Sequence, residues 1–153
     1  MKIILIGCSK TKVNTQELTA ASDLYVSDLF SKRLRYAEKN SDAFFILSAF
    51  HGVLHPDRCI VAYDVTLSDM QPNDVTLWHV GAARQLMERL VYDFDNRSPK
   101  RVTVEIHAGR SYCSPLAEIL TAIGFDVRLP LAGLGIGQQL AWYCEAMKKK
   151  ECQ

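Results

Sequence analysis

Three apolar runs in this chain each end in a cluster of small, polar or charged residues, and that repetition restricts the fold more than any other feature. Lys2-Ile-Ile-Leu-Ile6 runs into Gly7-Cys-Ser-Lys-Thr-Lys12. Phe44-Phe-Ile-Leu47 runs into Ser48-Ala-Phe-His51-Gly52, and Val102-Thr-Val-Glu-Ile106 into His107-Ala-Gly109-Arg110-Ser-Tyr112. In a parallel sheet all such carboxyl ends lie along one edge, the edge where open α/β folds bind ligands. The pattern therefore predicts one polar site, at one edge of one sheet.

Between these runs the apolar residues recur with helical spacing, which is the signature of an α/β layer fold. Val26, Phe30, Leu34 and Ala37 form one stripe and predict a helix over Asp23–Glu38, with Ser22 or Asp23 as N-cap. Trp78, Ala82, Leu86 and Leu90 predict a second over Val75–Phe94. A third over Pro115–Ile123 should stop at Gly124 in the C′ position. Phe125–Pro130 reads as a fourth strand, and Ile136, Leu140, Tyr143 and Met147 as the inner face of a last helix. Lys148 to Lys150 would then suit the negative end of that helix's dipole. The resulting expectation is a single domain over 1–153, with a mainly parallel four-stranded central sheet. Residues 49 to about 71 show no clean period. Their apolar and aromatic content argues for an ordered, site-covering loop rather than disorder.

Composition excludes more than it identifies. A 48% hydrophobic, 23% charged chain of 153 residues buries a core without staples. A formal net charge of +1 provides no global attraction for nucleic acid, so such binding needs a local patch. Cys8, Cys59, Cys113, Cys144 and Cys152 are odd in number and lack C-x-x-C spacing, which supports neither a disulfide framework nor a zinc knuckle. No run approaches the ~18 apolar residues of a membrane span. The opening run is also too short for a signal peptide. The reading is a cytoplasmic protein with reduced thiols, no metal and no cofactor.

The polar clusters supply the candidate residues. Gly7 to Lys12 is a βα turn whose N–H groups, Ser9 and Lys10 suit a phosphate or carboxylate, although the Walker spacing is absent. Solvated lysines on a plain loop are the competing reading. Cys8 is either a nucleophile activated by Lys10 or a helix terminus, or an inert small side chain. His51 is a candidate general acid or phosphate ligand, with Ser48 and Gly52 beside it; a structural imidazole is the alternative. Asp64, next to Tyr63 and among Ile60, Val61, Ala62 and Val65, would carry a raised pKa and serve as a general base, or else cap the segment after it. Arg110, after Gly109, would fork to a phosphate and Tyr112 would stack on a base; a solvated arginine and a half-buried tyrosine are equally ordinary. Gly133-x-Gly135-x-Gly137-Gln138-Gln139 fails the dinucleotide spacing, but Gly135 and Gln138 open a helix where a ligand can approach closely.

Four segments, taken together, resemble the small single-domain members of the peroxide-stress YaaA-like family. They are Ile6-Gly-Cys-Ser-Lys10; Asp23-Leu-Tyr-Val-Ser-Asp-Leu-Phe30; Leu47-Ser-Ala-Phe-His-Gly-Val-Leu54 with Tyr63-Asp64; and Pro130-Leu-Ala-Gly-Leu-Gly-Ile-Gly-Gln-Gln139. The third also looks like a stretch in the non-zinc domain of archaeosine synthase. The resemblance implies a three-layer fold like that of uracil-DNA glycosylase, and a nucleic-acid or nucleotide partner. Uracil-DNA glycosylases place an acid and an aromatic directly after strand one. This chain has Cys8-Ser9-Lys10 there, so Asp64 would have to substitute.

Two functions follow as expectations. One is an enzyme acting at a nucleobase or N-glycosidic bond: Asp64 and His51 handle protons, Lys10 and Arg110 hold phosphate, and Tyr112 or Tyr25 stacks on the base. The other is a noncatalytic DNA-binding or nucleotide-sensing protein in which Lys10, Lys12, Lys32, Arg33 and Arg35 contact phosphates.

Overall fold

The computed structural model of the chain describes residues 1–151; Cys152 lies outside the described residues, as do the side chains of Lys149 and Lys150. The strands are β1 (Lys2–Gly7), β2 (Thr19–Ala20), β3 (Ala43–Ser48), β4 (Gly52–Leu54), β5 (Cys59–Ile60), β6 (Thr103–His107) and β7 (Asp126–Arg128). The helices are α1 (Ala21–Leu24), α2 (Asp28–Asn40), α3 (Pro72–Tyr92), α4 (Arg110–Ile123) and α5 (Ile136–Glu151). The sheet runs β4-β3-β1-β6-β7, and β2 and β5 form a separate two-stranded ribbon.

β1 lies at the centre, parallel to β3 on one side and β6 on the other. Ile3, Ile4, Leu5 and Ile6 have no exposed surface, because a central parallel strand is covered on both faces. Ile3 and Leu5 pack with Ala82 and Leu86 of α3 and with Leu116 and Leu120 of α4. Ile4 and Ile6 pack with Leu24 of α1 and with Phe30 and Ala37 of α2. Each isoleucine, leucine and phenylalanine among these contributes about 1.5–3 kcal/mol by leaving water. The layering is α/β/α.

The sheet corrects the sequence expectation in one respect. It is mixed and five-stranded rather than four-stranded, because β4 pairs antiparallel with β3 along the edge. The expected strand four is present as β7, parallel to β6. β4 comes from the stretch without a period. Three buried residues, Gly52 to Leu54, are too few to show one.

The first helix also differs. It breaks at Tyr25–Ser27, and the N-cap of α2 is Ser27, whose hydroxyl accepts from the Phe30 N–H at 3.1 Å. Val26 is consequently exposed, while Tyr25 turns inward. α4 starts at Arg110 rather than Pro115 and, as expected, closes on Gly124 in the left-handed conformation. Arg33 departs furthest from its expected role. It is a buried residue of α2, not a surface phosphate contact, and donates to the Gly7 carbonyl (3.4 Å) and to Gln139 Oε1 (3.1 Å).

β6 turns Glu105 and His107 away from the apolar layer and towards α2 and α5. His107 Nδ1 lies 2.7 Å from the Tyr143 hydroxyl, and its Nε2 lies 3.4 Å from Glu105, which pairs with Lys2 at 2.9 Å. Burial lowers the His107 pKa against the pull of Glu105. Among the described residues no helix is long and apolar enough to cross a membrane. Cys8, Cys59, Cys113 and Cys144 are free thiols.

Gly52 closes the β3–β4 turn at φ +74, where a Cβ would run into the Gln85 side chain. Gln85 also accepts from the Val53 N–H and donates to the His51 carbonyl. Gly52→Ala is expected to cost about 2 kcal/mol, lowering Tm by roughly 4–8 °C in a thermal melt. A second prediction concerns His79, buried with no well-formed hydrogen bond to either ring nitrogen; burial lowers its pKa against a smaller pull from the Ser111 backbone. A histidine with a depressed folded-state pKa stabilises fully above its unfolded value of about 6.5, and that contribution is lost as pH falls below it. His79→Met should therefore narrow the drop in Tm between pH 8 and pH 5 relative to the parent.

Candidate functional site

The strand order determines where a crevice forms. After β1 the chain turns to α2 on one face; after β6 it turns to α4 on the other. The two loops diverge and leave a gap at the carboxyl ends of β1 and β6, the topological switch point of the parallel strands. A cleft of about 200 Å³ occupies that gap. Cys8, Ser9, Lys10 and Lys12 form one wall, Ser111 and Tyr112 the opposite one, and Val65 to Ser68 the third.

Close packing beneath the cleft brings its walls together. A Cβ on Gly7 would lie 2.9 Å from that of Ala108, so glycine lets the β1 end meet the β6 loop. The Cys8 N–H donates to the Leu47 carbonyl at 3.0 Å, tying the loop to β3. Cys8 Sγ lies 3.7 Å from the Tyr112 hydroxyl, directly across the gap. Burial, reinforced by the Cys8 sulfur, pushes the Tyr112 phenol up, so the neutral hydroxyl is the form present. Ser111 and Tyr112 belong to the first turn of α4, the positive end of its dipole, and no side chain caps that end.

A chain of hydroxyls supports the cleft from the α2 side. The Tyr63 hydroxyl is 2.7 Å from that of Tyr25 and 2.7 Å from Ser48 Oγ. Ser48 Oγ also accepts from the His51 N–H, and the Ser48 carbonyl accepts from the Trp78 indole. Burial pushes the Tyr25 phenol up to about 12, and the Tyr63 phenol higher still. Lys12 joins this chain to the cleft: its ammonium stands 4.5 Å from the centre of the Tyr63 ring, a cation–π contact. Phe50, 63% exposed, stacks on Tyr63 at 5.5 Å.

The predicted residues separate into groups. Cys8, Ser9, Lys10 and Tyr112 meet in the cleft, and Tyr25, Ser48 and Tyr63 form its support. His51 is half-buried outside the cleft lining, edge-on to Phe50 and Tyr63; burial and then the Arg58 cation lower its pKa. Asp64 stands between Tyr63 of the hydroxyl chain and Val65 of the wall, with its side chain exposed. Its apolar sequence neighbours do not enclose it. Gly52 serves the turn described above. Gly109 is the N-cap of α4, and Arg110 faces away from the cleft into a separate pocket. Gly135 and Gln138 engage each other, the Gly135 N–H donating to Gln138 Oε1 at 2.9 Å. Tyr25, 2% exposed, is closed to any stacking ligand.

Sequence reading missed Thr66, Ser68 and Ser111 in the walls. The first two lie in the aperiodic segment, where only the unusual loop length signalled a role. Thr66 and Asp69 cap each other, and these hydrogen bonds, with Lys10 nearby, hold the exposed Asp69 carboxyl below its ordinary pKa. A wider hollow of about 610 Å³ beside Phe44, His55 and Arg89 lies along the amino half of β3, away from the strand ends. Among the described residues no cluster of His, Cys, Asp and Glu is arranged to hold a metal.

A doubly wound α/β domain with its polar groups gathered at the switch point falls in the class whose ligands bind at that edge. Over residues 3–145 the chain matches, and belongs to, the "Family of unknown function (DUF6884)". It is also similar to "Uncharacterized protein YfjM" of Bacillus subtilis (strain 168), 35% identical over 80 residues. That match covers 49% of this chain and 53% of the relative, about half of each. No solved structure matches.

The hydroxyl chain generates a test of its own. Tyr63→Phe removes the central hydroxyl and leaves Tyr25 and Ser48 each short of a partner. Urea unfolding should show a loss of about 1–3 kcal/mol.

Proposed function

We propose that this protein binds a nucleotide or nucleic-acid ligand at the switch-point cleft and acts at its nucleobase or N-glycosidic bond. The observation that carries the reading is the convergence of Lys10, Lys12 and the first turn of α4 on one small cleft with five hydroxyls in its walls, those of Ser9, Thr66, Ser68, Ser111 and Tyr112. Two ammonium groups and a helix N-terminus make a phosphate site, because each places positive charge or N–H donors where an anion settles. Exposed aromatic surface on Phe50 is joined to it through Tyr63, on which both Phe50 and Lys12 rest. The resemblance read in the sequence supplies the nucleic-acid connection and the finer fold reading, a uracil-DNA-glycosylase-like arrangement of the layers.

In this reading Lys10 and Lys12 hold phosphate, and the cleft hydroxyls orient it. Asp64, beside the wall, takes a proton from water or steadies positive charge on the sugar, and His51, packed on Tyr63, exchanges the second proton. A second reading, noncatalytic DNA binding or nucleotide sensing, is favoured by one observation: among the described residues no carboxylate lines the cleft itself.

Base release separates the two. The protein and its Asp64→Asn variant are incubated with modified and unmodified DNA, RNA and nucleotides, and freed bases are read by mass spectrometry. Release slowed about a hundredfold or more by Asp64→Asn is the expected outcome. Equal rates would remove Asp64 from the mechanism. No release with any substrate, together with DNA affinity that falls by roughly one log unit per log of salt for each phosphate contact, would establish the binding reading instead.

A further inference from the structure

The segment between β7 and α5 encloses a second pocket, beside the switch-point cleft but separate from it. Its volume of about 310 Å³ falls at the small end of the range for small-molecule sites, about 300–1,000 Å³. Ile106, Leu129, Leu131 and Leu134 give it apolar walls. Three polar side chains interrupt them: Arg110, Ser114 and Gln139.

Gln139 distinguishes this pocket from a packing gap. It is 9% exposed, and its amide is fixed at both ends. Arg33 donates to Oε1 at 3.1 Å, and Nε2 donates to the Leu134 carbonyl at 2.9 Å. That leaves one N–H and one oxygen lone pair on a locked, planar amide. A donor beside an acceptor is the arrangement with which amide side chains read the edge of a base. Arg33 is itself buried, and its Nε has no partner, so the amide rests on a positive charge withheld from solvent.

Pocket and cleft are the two sides of one helix turn. Ser111 and Tyr112 face the cleft, whereas Arg110, Cys113 and Ser114 face the pocket. A ligand lying over the α4 N-terminus would place its anion on one side and its ring on the other. Resting on the nucleotide reading above, we propose that this pocket receives the nucleobase of a ligand whose phosphate occupies the cleft. The Phe50 ring offers a base one flat, 63% exposed face. The pocket offers apolar enclosure together with a fixed amide.

Calorimetric titration of the full chain with UMP, AMP and inorganic pyrophosphate tests this. Ser114→Phe narrows the pocket from α4, and Ala132→Phe narrows it from the facing loop; both positions are exposed, so the fold should tolerate the changes. Each variant should weaken at least one nucleotide tenfold or more and shift pyrophosphate affinity less than twofold. Unchanged nucleotide affinity in both folded variants would overturn the proposal, and a loss on Phe50→Ala instead would put the base on that ring. Should the variants fail to fold, hydrogen exchange on the parent protein decides. UMP is expected to protect amides of 129–137 that pyrophosphate leaves unprotected, and the same protection by both would sink the pocket's role. A parent that binds pyrophosphate but no nucleotide more tightly loses only the pocket assignment. A parent that binds neither loses the nucleotide reading as well.

Discussion

A buried cation, the Arg33 guanidinium, joins the elements on which the carboxyl edge depends. From α2 it reaches the Gly7 carbonyl at the end of β1 and the Gln139 amide on α5. Burial lowers its pKa, and the Tyr143 hydroxyl works in the opposite direction. A charge so placed is stabilising only while its partners remain, because removing one strands the other without water. It therefore fixes the relative positions of the β1 loop and the α5 start, and through Gln139 the Leu134 carbonyl. The loops at this edge inherit their geometry from that contact.

Around this anchor the fold divides its work between two faces. α3 and α4 cover an apolar surface of β1 and β6, and the core there is ordinary hydrophobic packing. The opposite face of β6 carries Glu105 and His107, met by Lys2, Tyr36 and Tyr143. A paired network of this kind adds little net stability but specifies how α5 docks, since a shifted helix would leave buried groups unsatisfied. The cleft arises because the chain leaves β1 and β6 towards these two different faces. Its chemistry is cationic and hydroxylic, with neutral phenols held neutral by burial.

Much of this was legible from residue order. The four parallel strands and the polar loops after three of them follow from short apolar runs that meet glycine, serine and lysine. The C-cap at Gly124 follows from the same kind of local rule. Other features were hidden for identifiable reasons. Val26 opens the apolar stripe of a helix by its spacing, yet Ser27 caps α2 immediately after it, which leaves Val26 exposed and sends Tyr25 to the Tyr63 hydroxyl. β4 is too short to show a period. Arg33 lies between Lys32 and Arg35 in a charged stretch, but helical geometry turns it inward while Arg35 remains exposed. Asp64 has apolar neighbours along the chain and open solvent around its carboxyl.

Sequence alone determined the four parallel strands, the layer architecture and the edge that carries the polar groups, because each depends on local periodicity and on what immediately follows a strand. Tertiary structure decided which polar groups meet. Cys8 and Tyr112 are 104 residues apart and become neighbours only through β1–β6 pairing. Arg33 and Gln139, 106 apart, meet only because α2 and α5 pack on one face. Contacts of that range depend on strand order and handedness rather than on any local pattern, and no window along the chain encodes them.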